Sequence, residues 1–227
     1  MELKRLTERI WYYPFEEARD RPNLGYIRGD KWSLAVDAGH SDAHVEEFYR
    51  ALEKENLPLP ALTVLTHWHW DHTFGLHRIN GLSIANRATN RHLKAFREEV
   101  SEKGRDVFLS LDESVRLEYA DGKEIRITAA DLAFDGELLM DLGGCPVRIF
   151  QTEAPHTDDS TLVFVPDEKA LFVGDAACGA FPGWEKDLAL VERLARAIQS
   201  TGAEIYLEGH WTPETLNEML EGLKSDT

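Results

Sequence analysis

The chain has 227 residues, with 25 Lys plus Arg against 41 Asp plus Glu, a formal net charge of −16. Apolar residues at 43% and aromatics at 10% exclude an intrinsically disordered chain and suffice for a buried core. The acidic excess opposes contact with phosphate backbones and anionic lipid, so a small molecule is the expected partner, with no nucleic acid and no membrane.

Residues 9–13 and 24–29 read as short strands, the second closing at Gly29-Asp30. Trp32 to Val36 is a nearly continuous apolar run stopped by Asp37-Ala38-Gly39, the pattern of a strand covered on both faces. Ser41 caps the next helix, whose Val45, Phe48, Tyr49 and Leu52 recur at i, i+3, i+4, i+7, and Pro58 and Pro60 end it. Leu62 to Thr66 is a second buried strand and runs into a His-rich turn. Residues 88–103 read as a charged helix, 104–121 carry no clear pattern, and 123–151 read as β throughout with turns at Asp135-Gly136 and Gly143-Gly144. A hairpin is expected from 161–165 and 170–174, an amphipathic helix over 185–200, and a short strand over 204–207. The last helix is expected from Pro213, capped by Thr212, burying Leu216, Met219, Leu220 and Leu223.

Helices and strands are mixed along the whole length, and the strand-rich stretches are too long for a doubly wound sheet. The expected class is α/β (α+β), two mixed sheets packed together with helices outside, as one domain over 1–227. Residues 86–120, lying between two groups of candidate ligands, form a candidate substrate-shaping insertion. Cys145 and Cys178 make no disulfide framework, and there is no secretory leader or 18-residue apolar span, so a cytoplasmic protein is expected. The oligomeric state stays open.

Five of the nine histidines fall where strands end. Three lie within His67-Trp68-His69-Trp70-Asp71-His72, and the others are His156 and His210. Neutral imidazole is the commonest ligand of zinc and similar ions. His67 and His69 can point the same way in an extended segment, while Asp71 and His72 lie on the turn that follows. That divides donors between two neighbouring ions, and His156, Asp175 and His210 can complete both. A carboxylate can bridge two cations, which makes Asp175 the natural bridge.

His67-x-His69-x-Asp71-His72 after a hydrophobic strand, followed in order by His156, Asp175 and His210 and preceded by Asp37, resembles the metallo-β-lactamase superfamily over about residues 8–211. The resemblance implies a four-layer αββα sandwich with metals at one sheet edge. It implies one ion on His67, His69 and His156, a second on Asp71, His72 and His210, and Asp175 bridging both. Asp37 matches a position that supports the site loops, and Asp71 is both ligand and catalytic proton acceptor. The implied activity is a dinuclear metal-dependent hydrolase of a small ester, thioester, lactone or phosphodiester. Its cofactors are two divalent ions: zinc first, with iron or manganese as the other candidates.

Departures narrow the choice. True β-lactamases of the superfamily lack the bridging Asp, and diiron flavoproteins have Glu where this chain has His69. Glyoxalase II has a similar site but adds a helical glutathione-binding domain, whereas 17 residues follow His210 here. A mononuclear iron enzyme resembling the persulfide dioxygenases is the alternative in another reaction class, and a non-catalytic ligand-binding domain is the third reading.

Trp68, Trp70, Phe181 and Trp184 are candidate pocket residues, although a Trp beside a buried turn, as the first two are, more often serves packing. Asp158 and Asp159 read as a solvated turn, Cys178 as an inert thiol beside the site, and Cys145 as structural. His40, His44, His77 and His92 are expected at the surface.

Overall fold

The computed structural model describes residues 1–224; the last three residues of the expected 1–227 domain lie outside the described residues. The described residues form two mixed sheets. The first orders β1 (Lys4–Arg5), β2 (Ile10–Tyr13), β3 (Leu24–Arg28), β4 (Ser33–Val36), β5 (Leu62–Val64), β6 (Leu82–Asn86) and β7 (Leu132–Phe134) side by side. It is antiparallel as far as β4 and parallel from there to β7. The second runs β8 (Glu137–Asp141), β9 (Pro146–Gln151), β10 (Thr161–Val165), β11 (Ala170–Gly174) and β12 (Ile205–Glu208), antiparallel except for the β11–β12 pair.

Strand side chains alternate between faces, and the sequence uses both. Ile27, Leu34 and Val36 of the first sheet meet Val163, Val165 and Phe172 of the second in one core. At Gly25 the sheets come so close that a Cβ would lie 2.5 Å from the Phe172 ring. Leu24, Tyr26 and Ala35 face outward onto Phe48 and Leu52 of α1 (Asp42–Lys54). On the far side, Leu162, Phe164, Leu171 and Val173 pack on α6 (Leu188–Thr201) and α7 (Leu216–Gly222). The expected helix–sheet–sheet–helix layering is therefore present.

The one-turn α2 (Trp70–Thr73) leads into a further apolar cluster joining Trp70 and Phe74 to Leu93 and Phe96 of α3 (Arg87–Lys103), Phe108 of α4 (Arg105–Leu109) and Val115 of α5 (Glu113–Glu118). The stretch without a clear pattern, 104–121, thus holds two short helices, and most of 86–120 is helical.

Several expected boundaries are corrected. Strand β6 was not anticipated, because its polar Ser83 is buried: its amide and hydroxyl both donate to Asp131, at 2.9 and 2.7 Å. The β pattern expected from residue 123 begins only at Leu132. Ala130 just before it is tied to Asn90 by two side-chain bonds of 2.7 and 3.0 Å. The helix expected at 185 starts at Leu188 under an Asp187 cap. The last helix starts at Leu216, not Pro213, and Thr215 caps it in a capping box with Glu218. Glu214 instead exchanges backbone bonds of 2.8 and 2.9 Å with Tyr206, which keeps 212–214 off the helix. No helix among the described residues is long and apolar enough to cross a membrane.

Candidate metal centre

Strands β4, β5, β9, β11 and β12 all end at one edge shared by the two sheets, and each is followed by a polar residue of the predicted set. The edge gathers Asp37 from β4, His67 to His72 from β5, His156 from β9, Asp175 from β11 and His210 from β12. His67, His69, Asp71, His72, His156 and Asp175 are at most 7% exposed, and His210 is partly buried.

All seven predicted residues come together, in two groups. Donor atoms of His67, His69 and His156 lie within 4.8 Å of one another, and so do those of Asp71, His72, Asp175 and His210. The ring centroid of His67 is 4.7, 4.3 and 4.9 Å from those of His69, His72 and His156. Asp175 stands between the groups: its Oδ1 is 3.3 Å from His72 Nε2, while its Oδ2 is 3.5 Å from His210 Nε2 and 3.9 Å from His156 Nε2.

The surrounding hydrogen bonds orient these rings. Asp37 Oδ1 accepts from the Thr66 amide at 2.7 Å and from its hydroxyl at 3.0 Å, while Oδ2 accepts from His72 Nδ1 at 2.8 Å. The Thr66 hydroxyl proton is thereby engaged, so His67 Nδ1 is the donor across the 3.2 Å contact between them. His156 Nδ1 donates to the Gly179 carbonyl at 2.8 Å, and its Nε2 faces His69 Nδ1 at 2.9 Å. Each of these rings turns its second nitrogen inward. His67 Nε2, His72 Nε2 and Asp175 Oδ1 are buried with no hydrogen-bond partner. Buried polar atoms are rarely left so, and three aimed at a common region fit an ion's donor set.

Charge points the same way. Burial pushes the His67 and His69 imidazoles down, His69 to about 3, so both are neutral and carry free lone pairs. Burial opposes charge on His72 as well, yet Asp175, Asp71 and Asp37 outweigh it and lift this imidazole well above its ordinary value. Burial would raise the Asp71 carboxyl, but His72 and His210 hold it well below the usual carboxylate range. Carboxylates gathered in a dry site call for positive charge, which a divalent ion would also provide.

A cavity of about 210 Å³ opens onto the cluster. Trp70, Phe181 and Trp184 line it as expected, whereas Trp68 does not. Its ring stacks on His92 (5.7 Å), meets Phe96 (5.4 Å) and abuts the His69 ring edge-on (4.7 Å), packing behind that histidine instead of lining the cavity. Asp158 and Asp159 form a turn, with Asp158 bound to His92 at 2.6 Å and Asp159 fully buried rather than solvated. Cys178 lines the cavity, and Cys145 sits in the inter-sheet core. The surface expectation is corrected for His40 and His44, both fully buried: His40 Nδ1 is held by the Arg19 carbonyl at 2.9 Å, and His44 Nδ1 accepts from the His40 amide at 3.3 Å. His77, at 2.5 Å from Asp42, is mostly covered, and His92 is half-buried.

Two acids that no motif announced also line the cavity. Asp20 places Oδ1 3.4 Å from His210 Nδ1, and burial together with repulsion from Asp71 pushes its carboxyl up to about 6. Asp112 caps α5, accepting from the Ser114 amide at 2.8 Å, and borders the cavity.

Among proteins of known activity, the chain is similar to an atrochrysone carboxyl ACP thioesterase of Aspergillus fumigatus, 25% identical over 78% of this chain. It spans 46% of that protein's length, less than half. It is also similar to the human acyl-coenzyme A thioesterase MBLAC2, 23% identical over 87% of this chain and 75% of the human protein. Among solved structures, the DIM-1 metallo-β-lactamase superposes with a TM-score of 0.66 at 21% identity, covering 100% of this chain and 96% of that one. A metallo-β-lactamase from Pontibacter korlensis does so with a TM-score of 0.66 at 15% identity, covering 99% of each. At these identities the superpositions speak for the fold. The profile of the metallo-β-lactamase superfamily matches residues 19–217, which takes in Asp37, every histidine and carboxylate of the cluster, β3 to β7 of the first sheet and all of the second; the chain belongs to that superfamily.

Proposed function

We propose that the protein is a dinuclear metal-dependent hydrolase acting on a small acyl thioester. The observation that carries this reading is Asp175, a carboxylate whose Oδ1 is 3.3 Å from His72 and whose Oδ2 is 3.5 Å from His210 and 3.9 Å from His156, so that it reaches both donor groups. His67, His69 and His156 would hold one ion, Asp71, His72 and His210 the other, with Asp175 shared. Imidazole and carboxylate without thiolate suit zinc, and also iron or manganese. Two cations bound there would supply a hydroxide at neutral pH, by lowering the pKa of water from about 15.7 towards about 7, and would polarise the acyl oxygen. Asp37 and the Gly179 carbonyl fix the rings of His72 and His156, and Asp71 takes up the proton of the attacking water. Trp70, Phe181 and Trp184 exclude solvent from the acyl group. Similarity to two thioesterases favours a thioester over a lactone or phosphodiester. Two free thiols agree with a reducing, cytoplasmic setting.

Elemental analysis of protein purified without added metal is expected to find close to two ions per chain. Hydrolysis of short acyl thioesters should be lost on chelation and restored by one of zinc, iron or manganese. Protein that takes up none of these ions, or that consumes oxygen with a persulfide while leaving thioesters intact, would overturn the reading.

Gly209 offers a narrower check. A Cβ there would lie 2.0 Å from Asp175 Oδ1 and 2.8 Å from His72 Cε1. Gly209→Ala must displace the bridging carboxylate without adding or removing a ligand. A loss of about 10–100-fold in metal affinity is expected, as for disturbed supporting groups elsewhere. Competition with a chromophoric chelator measures it, and unchanged affinity would speak against the bridge.

A further inference from the structure

The cavity beside the cluster has a charge character that the metal-binding residues do not account for. Resting on the thioesterase reading, we propose that it is the acyl pocket, and that it admits a short acyl chain that is neutral or positively charged while rejecting one that ends in a carboxylate.

Size comes first. About 210 Å³ is roughly the liquid volume of seven waters and falls below the usual range of pockets for drug-sized ligands. A short acyl group fits. A long carrier arm and its phosphates would remain outside.

The walls come next. Phe181 meets Trp70 edge-on at 5.2 Å and Trp184 edge-on at 5.7 Å, and Trp184 stacks on His156 at 6.1 Å with the planes 17° apart. Such rings accept alkyl chains on their faces and also attract ammonium groups. Trp184 is held there at some expense. Its φ of 59° lies in the left-handed region that bulky residues avoid, and its amide donates to the Ala180 carbonyl at 2.7 Å. Gly179 allows that closure, since a Cβ there would lie 1.8 Å from the Trp184 carbonyl oxygen. The same Gly179 carbonyl positions His156, so one loop both orients a ligand and presents the aromatic wall.

Charge decides the selectivity. Among the described residues no Lys or Arg lines the cavity, whereas Asp20 and Asp112 do. An acyl chain ending in a carboxylate would bring that charge beside Asp20 and Asp112, with no Lys or Arg to receive it, a like-charge juxtaposition that costs binding. Asp71 and Asp175 among its donors offset two of the four positive charges of an occupied dinuclear centre, and Asp20 and Asp112 on the cavity wall face the other two. A neutral chain meets no such penalty, and an ammonium gains from both the acids and the rings.

The test uses N-acetylcysteamine thioesters of three matched acyl groups: glutaryl, its methyl ester, and 4-(trimethylammonio)butanoyl. With metal-loaded protein in low salt, kcat/KM for glutaryl should fall below that for the methyl ester by about fivefold or more, and the ammonium compound should equal or exceed the methyl ester. In Asp112→Asn, which retains a capping side chain, the gap between methyl ester and glutaryl should narrow. A wild-type gap smaller than about fivefold, or one unmoved in Asp112→Asn, overturns the proposal. Tryptophan fluorescence titration with the corresponding N-butylamides reads the same preference without turnover. Selective binding of the neutral and cationic amides with no thioester hydrolysis would uphold the pocket and overturn the thioesterase reading. Hydrolysis without charge preference would do the reverse.

Discussion

Asp175→Ala is expected to leave the protein folded, to reduce bound metal from two ions towards one, and to lower kcat/KM for thioesters by about 10³-fold. The size follows from what the carboxylate holds together. It has oxygens near both donor groups, 3.3 Å from His72 on one side and 3.9 Å from His156 on the other. A metal ion contributes several kcal/mol of transition-state charge stabilisation, and about 4 kcal/mol corresponds to roughly 10³ in rate. Folding should survive because Asp175 follows β11 at the sheet edge, outside the apolar clusters that join the layers. Elemental analysis, circular dichroism and steady-state kinetics on one preparation check the three parts. A variant that keeps both ions and more than a tenth of the activity would remove Asp175 from the bridging role.

Asp175 was also among the residues most legible in the sequence. It ends an apolar strand, and strands buried on both faces announce themselves as continuous Val, Leu and Phe runs. Whatever follows such a run lies at a sheet edge, so His67 to His72, His156 and His210 could be placed together without long-range information. Asp20 had no such signal. It precedes β3 in an irregular loop and reaches His210 only because that loop folds across the sheet edge. The surface expectation for His40 and His44 fails for a related reason: polar residues flanking a capping Ser look solvated, yet the Arg19 carbonyl and Tyr119 cover His40, and His44 packs against Tyr13 with ring centroids 6.0 Å apart. Strand β6 and the start of α7 were missed where a side chain or one backbone pair overrode local pattern, Asp131 binding Ser83 and Glu214 binding Tyr206.

That covering loop is fastened by a buried ion cluster, and breaking it should give the largest loss of stability. Arg21 is 1% exposed, and its guanidinium makes bonds of 2.9 to 3.0 Å to both oxygens of Glu118, whose side chain is fully buried. Glu16 and Glu47 lie at 3.2 and 3.3 Å from its remaining nitrogen, and the Ser41 hydroxyl also donates to Glu118. Arg21→Ala would strand the Glu118 carboxylate, for which about 3–5 kcal/mol is expected. In a chain of this size that lowers the melting temperature by roughly 6–20 °C. The double variant Arg21→Met/Glu118→Leu removes both charges and keeps apolar volume, so it should melt above the Arg21→Ala single variant. Calorimetry on the two variants checks the order, and a double variant melting below Arg21→Ala would mean that shape rather than charge holds the cluster. Activity separates the roles further. Arg21 adjoins Asp20, so loosening the loop should weaken the Asp20–His210 contact and lower kcat at temperatures where the variant is still folded.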